Sequence, residues 1–138
     1  LSSSSAASDV YKRQDMLRAV IQGGTGSRLR YAYHLTADMG GKTGTTNNNA
    51  DGWFMGITPN LVSGCWVGGE DRDIHFDHTS MGQGATMALP VWAYYMQRVY
   101  ADKRLGYSQS TKFTMPAKFN PCQTADTINV NGIQEEYF

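Results

Sequence analysis

Gly41-Lys42-Thr43-Gly44-Thr45-Thr46, a polar Asn47-Asn48-Asn49 break, and Gly52-Trp53-Phe54-Met55-Gly56-Ile57-Thr58 read together as two antiparallel strands and their connecting loop. In the second run Trp53, Met55 and Ile57 alternate with Phe54, Gly56 and Thr58, the period-2 pattern of a strand with two different faces. Pro59-Asn60 signals a turn, and Leu61–Val67 supplies the next strand. Candidate strands at Met39–Thr46, Gly52–Thr58 and Leu61–Val67 therefore form an antiparallel three-stranded meander. The alternation implies one well-buried face. Trp66 together with Phe54 suggests that the other face is covered too, so Trp53, Phe54 and Trp66 are expected in the core. The first run is different: a lysine, hydroxyls and a glycine make a poor core but suit a strand edge that a ligand approaches closely.

Working outward, Asp15 to Gln22 places Met16, Leu17, Val20 and Ile21 on one short stripe, and Gly23-Gly24 stops that helix. A second helix is expected from about Ala85 to Tyr100, with Leu89, Trp92, Met96 and Val99 facing the sheet. Pro90 either opens that helix or kinks it. Residues 70–83 read as loop. Residues 1–14 show no apolar face and read as a non-native or disordered leader, and residues 103–138 as an extended or disordered tail. The expected fold class is α+β, with the sheet flanked by an N-terminal and a C-terminal helix in a domain over residues 15–102.

The chain has 138 residues and starts at Leu1, which reads as a piece of a longer protein. Twelve basic and 12 acidic side chains cancel, arguing against a nucleic-acid partner recruited by charge. No apolar run approaches the roughly 18–20 residues that span a bilayer. Cys65 and Cys122 have no metal-ligand spacing, and Cys65 sits in an apolar stretch as a small buried hydrophobe.

Other readings of the same residues are weaker. Gly41-Lys42-Thr43 ends like a phosphate-binding loop, but Thr36 stands where that motif requires glycine, and a strand follows instead of a helix. Asp73, His75, Asp77 and His78 lack an evident third convergent metal ligand, so no metal and no cofactor is expected. Arg28 and Arg30, beside tyrosines, read as solvent-facing. For Lys42 the bland alternative is a charge guarding an exposed sheet edge, and for Thr43 and Thr45 it is ordinary strand preference.

Lys42-Thr43-Gly44-Thr45-Thr46 followed by Asp51-Gly52-Trp53-Phe54 resembles the Lys-Thr-Gly strand of the class A, bifunctional penicillin-binding proteins. Met16–Ile21 leading into Gly24-Thr25-Gly26 resembles the helix and loop before that strand. Trp66-Val67-Gly68 and Ala88-Leu89-Pro90-Val91-Trp92 resemble the strand and helix after it. The likeness covers roughly residues 15–100 and corresponds to the C-terminal part of the transpeptidase domain, a partial serine β-lactamase/transpeptidase-like fold. The family's Ser-x-x-Lys and Ser-x-Asn motifs do not occur in this segment, so no residue is named as nucleophile.

The resemblance implies a peptidoglycan D,D-transpeptidase in which a serine attacks a D-alanyl-D-alanine stem peptide and a second amine resolves the acyl-enzyme. In that scheme Lys42 and Thr45 are the catalytic positions of this stretch, and Thr43, Gly44, Thr45 and Thr46 bind substrate. It also implies stem peptides and a lipid-linked precursor as partners, β-lactams as inhibitors, and a membrane anchor upstream. The location would be the outer face of a bacterial cytoplasmic membrane. Alternatives are a serine β-lactamase or D,D-carboxypeptidase of the same fold, or a catalytically inert interaction module.

Overall fold

The computed structural model describes residues 3–114, folded as an α+β unit. Helix α1 spans Ser3–Gln22, a short α2 spans Arg28–Tyr31, and strands β1 (Gly40–Thr45), β2 (Asp51–Ile57) and β3 (Val62–Gly68) follow. A turn of helix, α3 (Thr79–Gly82), precedes the long α4 (Gly84–Ala101). The sheet is antiparallel in the order β1-β2-β3, so β1 is an edge strand, as the meander requires.

Helix α4 covers one face of the sheet because that face is cut to receive it. Gly52, Phe54 and Gly56 point towards α4, and Trp92 lies against Gly56, where any Cβ would overlap its indole. The Phe54 and Trp92 rings meet edge to face at 5.0 Å, and the indole N–H donates to Ser63 Oγ at 2.9 Å. Leu89, Trp92, Met96 and Val99 are all buried, the stripe the sequence shows. Pro90 lies inside α4 and does not end it. Ile21 of α1, Leu29 of α2, and Leu35 and Met39 from the segment before β1 join the same core.

The opposite face departs from expectation. Trp53 and Trp66 pair across β2 and β3, each 45 % exposed, with Met55 and Val62 also exposed beside them. Of the three aromatic residues expected in the core, only Phe54 is there. Alternation separates two faces, but it does not supply a layer to cover the second one.

Both ends also differ. Helix α1 begins at Ser3, not at Asp15. Ala6, Ala7, Lys12, Arg13 and Gln14 are sound helix formers with no glycine or proline among them, so a helix can run on without an apolar stripe. After α4 the chain makes a turn of 3-10 helix at Lys103–Leu105, reverses at Gly106 (φ 74°), and returns along the body. Gln109 Oε1 accepts from the Thr36 backbone N–H at 2.8 Å, and Asp38 Oδ2 accepts from that of Phe113 at 3.0 Å. Residues 103–114 are thus tied down, and the remainder of the expected tail, residues 115–138, lies outside the described residues.

Candidate functional site

Strand β1 is half covered and half open. Gly40 and Gly41 are buried, Gly40 against Leu17 of α1 and Gly41 against the Phe54 ring. Beyond them Lys42 and Thr45 are exposed, with Thr43 and Gly44 half-buried. The hairpin closes where Thr46 donates its backbone N–H to the Asp51 carbonyl at 3.0 Å. Antiparallel ladders alternate bonded and non-bonded pairs, so counting back in twos makes Gly44–Trp53 and Lys42–Met55 bonded pairs. The backbone groups of Thr43 and Thr45 then face away from β2, onto the open edge. The Lys42 ammonium accordingly reaches the Thr43 carbonyl, at 2.9 Å.

The side chains divide between the two faces. Lys42 shares a face with Met55, while Thr43 and Thr45 share the α4 face with Phe54 and Gly52. Thr45 Oγ1 accepts from the backbone N–H of Gly84, the first residue of α4, at 3.0 Å. That bond uses the oxygen and leaves the hydroxyl proton to donate elsewhere. Thr43 Oγ1 lies 3.0 Å from Thr25 Oγ1, on the glycine loop that follows α1. At Gly44 a side chain would press on Trp53 Cβ at 3.3 Å, so the bare backbone keeps the edge low.

Thr46 is drawn into a different task. Its hydroxyl accepts from the Asp51 backbone N–H at 2.9 Å and closes the Asn47–Asn49 turn, in which Asn48 and Asn49 adopt positive φ. Lys42, Thr43, Gly44 and Thr45 thus gather on one edge, and Thr46 braces its end. Sequence reasoning missed Gly84 and treated Thr25 only as part of a loop. The glycine at the start of α4 was the available signal for Gly84, since only a residue without Cβ fits against Gly44 and Trp53 there.

Arg28 and Arg30 are half-buried and donate to the Ala85 carbonyl at 3.4 Å and the Leu35 carbonyl at 2.8 Å, so they are structural ties and not the solvent-facing pair expected. Asp73, His75, Asp77 and His78 are exposed after β3. Among the described residues no three His, Cys, Asp or Glu side chains gather as a metal site needs. Gly41-Lys42-Thr43 lies within a strand and leads into a hairpin, without the helix start that cradles phosphates. Cys65 is free and half-buried against the core, less enclosed than expected, and burial pushes its thiol above the ordinary value. Among the described residues no helix is long and apolar enough to cross a membrane.

Comparison with known proteins points one way. The chain is 42% identical over 85 residues to penicillin-binding protein 1A of Aquifex aeolicus, covering 62% of this chain and 11% of that protein. It is 40% identical over 100 residues to penicillin-binding protein 1A of Pseudomonas aeruginosa, covering 70% of this chain and 11% of that one. Among solved structures, the crystal structure of penicillin-binding protein 1A from Haemophilus influenzae superposes with a TM-score of 0.56 at 30% identity, over 74% of this chain and 15% of that chain. No family model matches. The chain spans about a tenth of the length of the curated relatives it matches.

Proposed function

The chain belongs to the class A penicillin-binding proteins, of which it spans a short segment, and on that premise we propose that β1 is the Lys-Thr-Gly strand of a peptidoglycan D,D-transpeptidase. The observation that carries this reading is the open edge itself. A cation, two hydroxyls and an outward-facing backbone N–H converge on one strand with no side chain at Gly44 to obstruct a peptide.

The chemistry follows from those groups. A serine elsewhere in the whole protein attacks the carbonyl carbon of the penultimate D-alanine. The C–N bond to the terminal D-alanine breaks, that residue leaves as an amine after gaining a proton, and an acyl-serine ester remains. The amine of a second stem peptide then attacks the ester, forming the cross-link and returning the serine. Lys42 supplies positive charge beside the nucleophile, attracting the substrate's terminal carboxylate and easing proton movement. Thr43 and Thr45 donate hydroxyl protons to that carboxylate. The Thr45 backbone N–H faces the developing oxyanion, a contribution worth about 3 kcal/mol of barrier in comparable sites.

The partners of the whole protein are then stem peptides and their lipid-linked precursor, with β-lactams acylating the same serine. Its working side is the outer face of a bacterial cytoplasmic membrane. The test is Lys42→Ala in the full-length protein with a fluorescent penicillin. Labelling should fall by at least about a hundredfold, the scale of losing one well-placed electrostatic group, while the melting temperature stays near that of the parent. Undiminished labelling removes Lys42 from the site.

A further inference from the structure

The loop after α1 brings a second hydroxyl to the edge strand. Thr25 Oγ1 stands 3.0 Å from Thr43 Oγ1, across a sequence separation of 18 residues. Two observations show that Thr25 is held there. The backbone N–H groups of Gly24 and Gly26 both donate to the Val20 carbonyl at 3.1 Å, folding the loop back onto the last turn of α1. The glycines lie close to that helix: a Cβ at Gly24 would sit 2.9 Å from Val20 Cα, and one at Gly26 2.6 Å from Ile21 Cδ1. The helix in turn is seated on β1 where Gly40 meets Leu17.

Thr43 is therefore held at two points, its carbonyl by the Lys42 ammonium and its hydroxyl by Thr25. We propose that Thr25 is a positioning residue, donating to Thr43 Oγ1 so that the Thr43 proton is aimed at a substrate carboxylate lying along the β1 edge. The inference rests on the transpeptidase reading of that edge. A hydroxyl that accepts one hydrogen bond donates a stronger one, and a threonine fixed in one rotamer loses less freedom when it grips a ligand. Thr25 does not touch the reacting atoms. Its effect belongs to recognition of the carboxylate and not to acyl transfer.

The experiment compares Thr25→Val, which keeps the shape and removes the hydroxyl, with Thr25→Ser, which restores it, in the full-length protein. Acylation is followed against concentration with benzylpenicillin and with its methyl ester, which lacks the carboxylate charge. For Thr25→Val the concentration giving half-maximal acylation by benzylpenicillin should rise about three- to tenfold, the range for one hydrogen bond, with the saturating rate within about twofold. The ester should respond equally to parent and variant, and Thr25→Ser should restore benzylpenicillin binding. Parent-like behaviour of Thr25→Val, or an equal loss with ester and acid accompanied by a lower melting temperature, overturns the proposal. Lys42→Ala run alongside separates the two ideas. If it acylates normally, the assignment of the β1 edge to the transpeptidase site fails, and the role of Thr25 with it; if it collapses while Thr25→Val is unaffected, only the role of Thr25 fails.

Discussion

The backbone N–H of Gly84 donates to Thr45 Oγ1 at 3.0 Å, joining the first residue of α4 to the last residue of the edge strand. The bond forms because Gly84 has no side chain: a Cβ there would overlap the Gly44 and Trp53 carbonyl oxygens, backbone atoms that cannot step aside. The helix that builds the core and the hydroxyl proposed to grip the substrate are thus coupled at one point.

That coupling makes Gly84→Ala a test of both. The added methyl should lift the start of α4 and cost about 1–3 kcal/mol, the usual range for overpacking. It should also free the Thr45 hydroxyl to rotate, so penicillin acylation of the full-length protein should fall further than stability alone explains. Thermal unfolding and acylation measured on the same preparation check this. Lost stability with normal acylation would separate the helix from the site.

The two tryptophans on opposite faces should behave differently. Trp92 is 1 % exposed, hydrogen-bonded to Ser63 and packed edge to face with Phe54, so Trp92→Ala should cost about 3–5 kcal/mol. Trp66 is 45 % exposed and its indole donates to Asp51 Oδ1 at 2.9 Å, so Trp66→Ala should cost about 1 kcal/mol. Urea unfolding of the two variants gives the comparison. Equal losses would mean that the Trp53–Trp66 face is packed against something.

The meander was legible because its information is local. The alternation from Trp53 to Thr58 and the Pro59-Asn60 turn specify strands and a reversal within a few residues. The stripe of Leu89, Trp92, Met96 and Val99 did the same for α4. The open edge carrying Lys42 and Thr45 followed from residue types that suit no core. What escaped depends on distance along the chain. Thr45 meets Gly84 across 39 residues, and Asp38 meets Phe113 across 75. No periodicity reports such pairs. The exposed Trp53 and Trp66 misled for a different reason: hydrophobicity records what a side chain prefers, and not whether a second layer is at hand to cover it.

Cys65 offers a pH-dependent reading of its half-buried place beside the core. Burial holds its thiol above the ordinary value, so the folded chain keeps the proton to higher pH than the unfolded chain does. At pH 8 the folded protein should therefore react with iodoacetamide more slowly than the same chain in denaturant. The linkage sign follows: the contribution is intact below the unfolded thiol's pKa and is lost as pH rises through the folded one. Equal alkylation rates in the two states would place the thiol in water. Cys122→Ser is introduced first, so that the rate reports Cys65 alone.

Asp38 should prove the strongest tie between the ends of the described chain. Its carboxylate, 8 % exposed, accepts from Arg18 Nε of α1 at 2.9 Å and from the Phe113 backbone N–H at 3.0 Å. Asp38→Ala leaves the half-buried Arg18 guanidinium with the more distant Asp15 carboxylate, at 3.9 Å, and the Phe113 backbone donor without its acceptor, and should cost about 2 kcal/mol. Asp38→Asn keeps a carbonyl oxygen for one of the two donors but gives up the charge, so about half that loss is expected. Hydrogen exchange shows where the loss falls. If the carboxylate clamps the returning segment to α1, the Phe113 amide should exchange faster in both variants, by more than the amides of β2. Faster exchange in β2 to the same degree would mean that Asp38 acts on the stability of the whole fold, with the returning segment following passively.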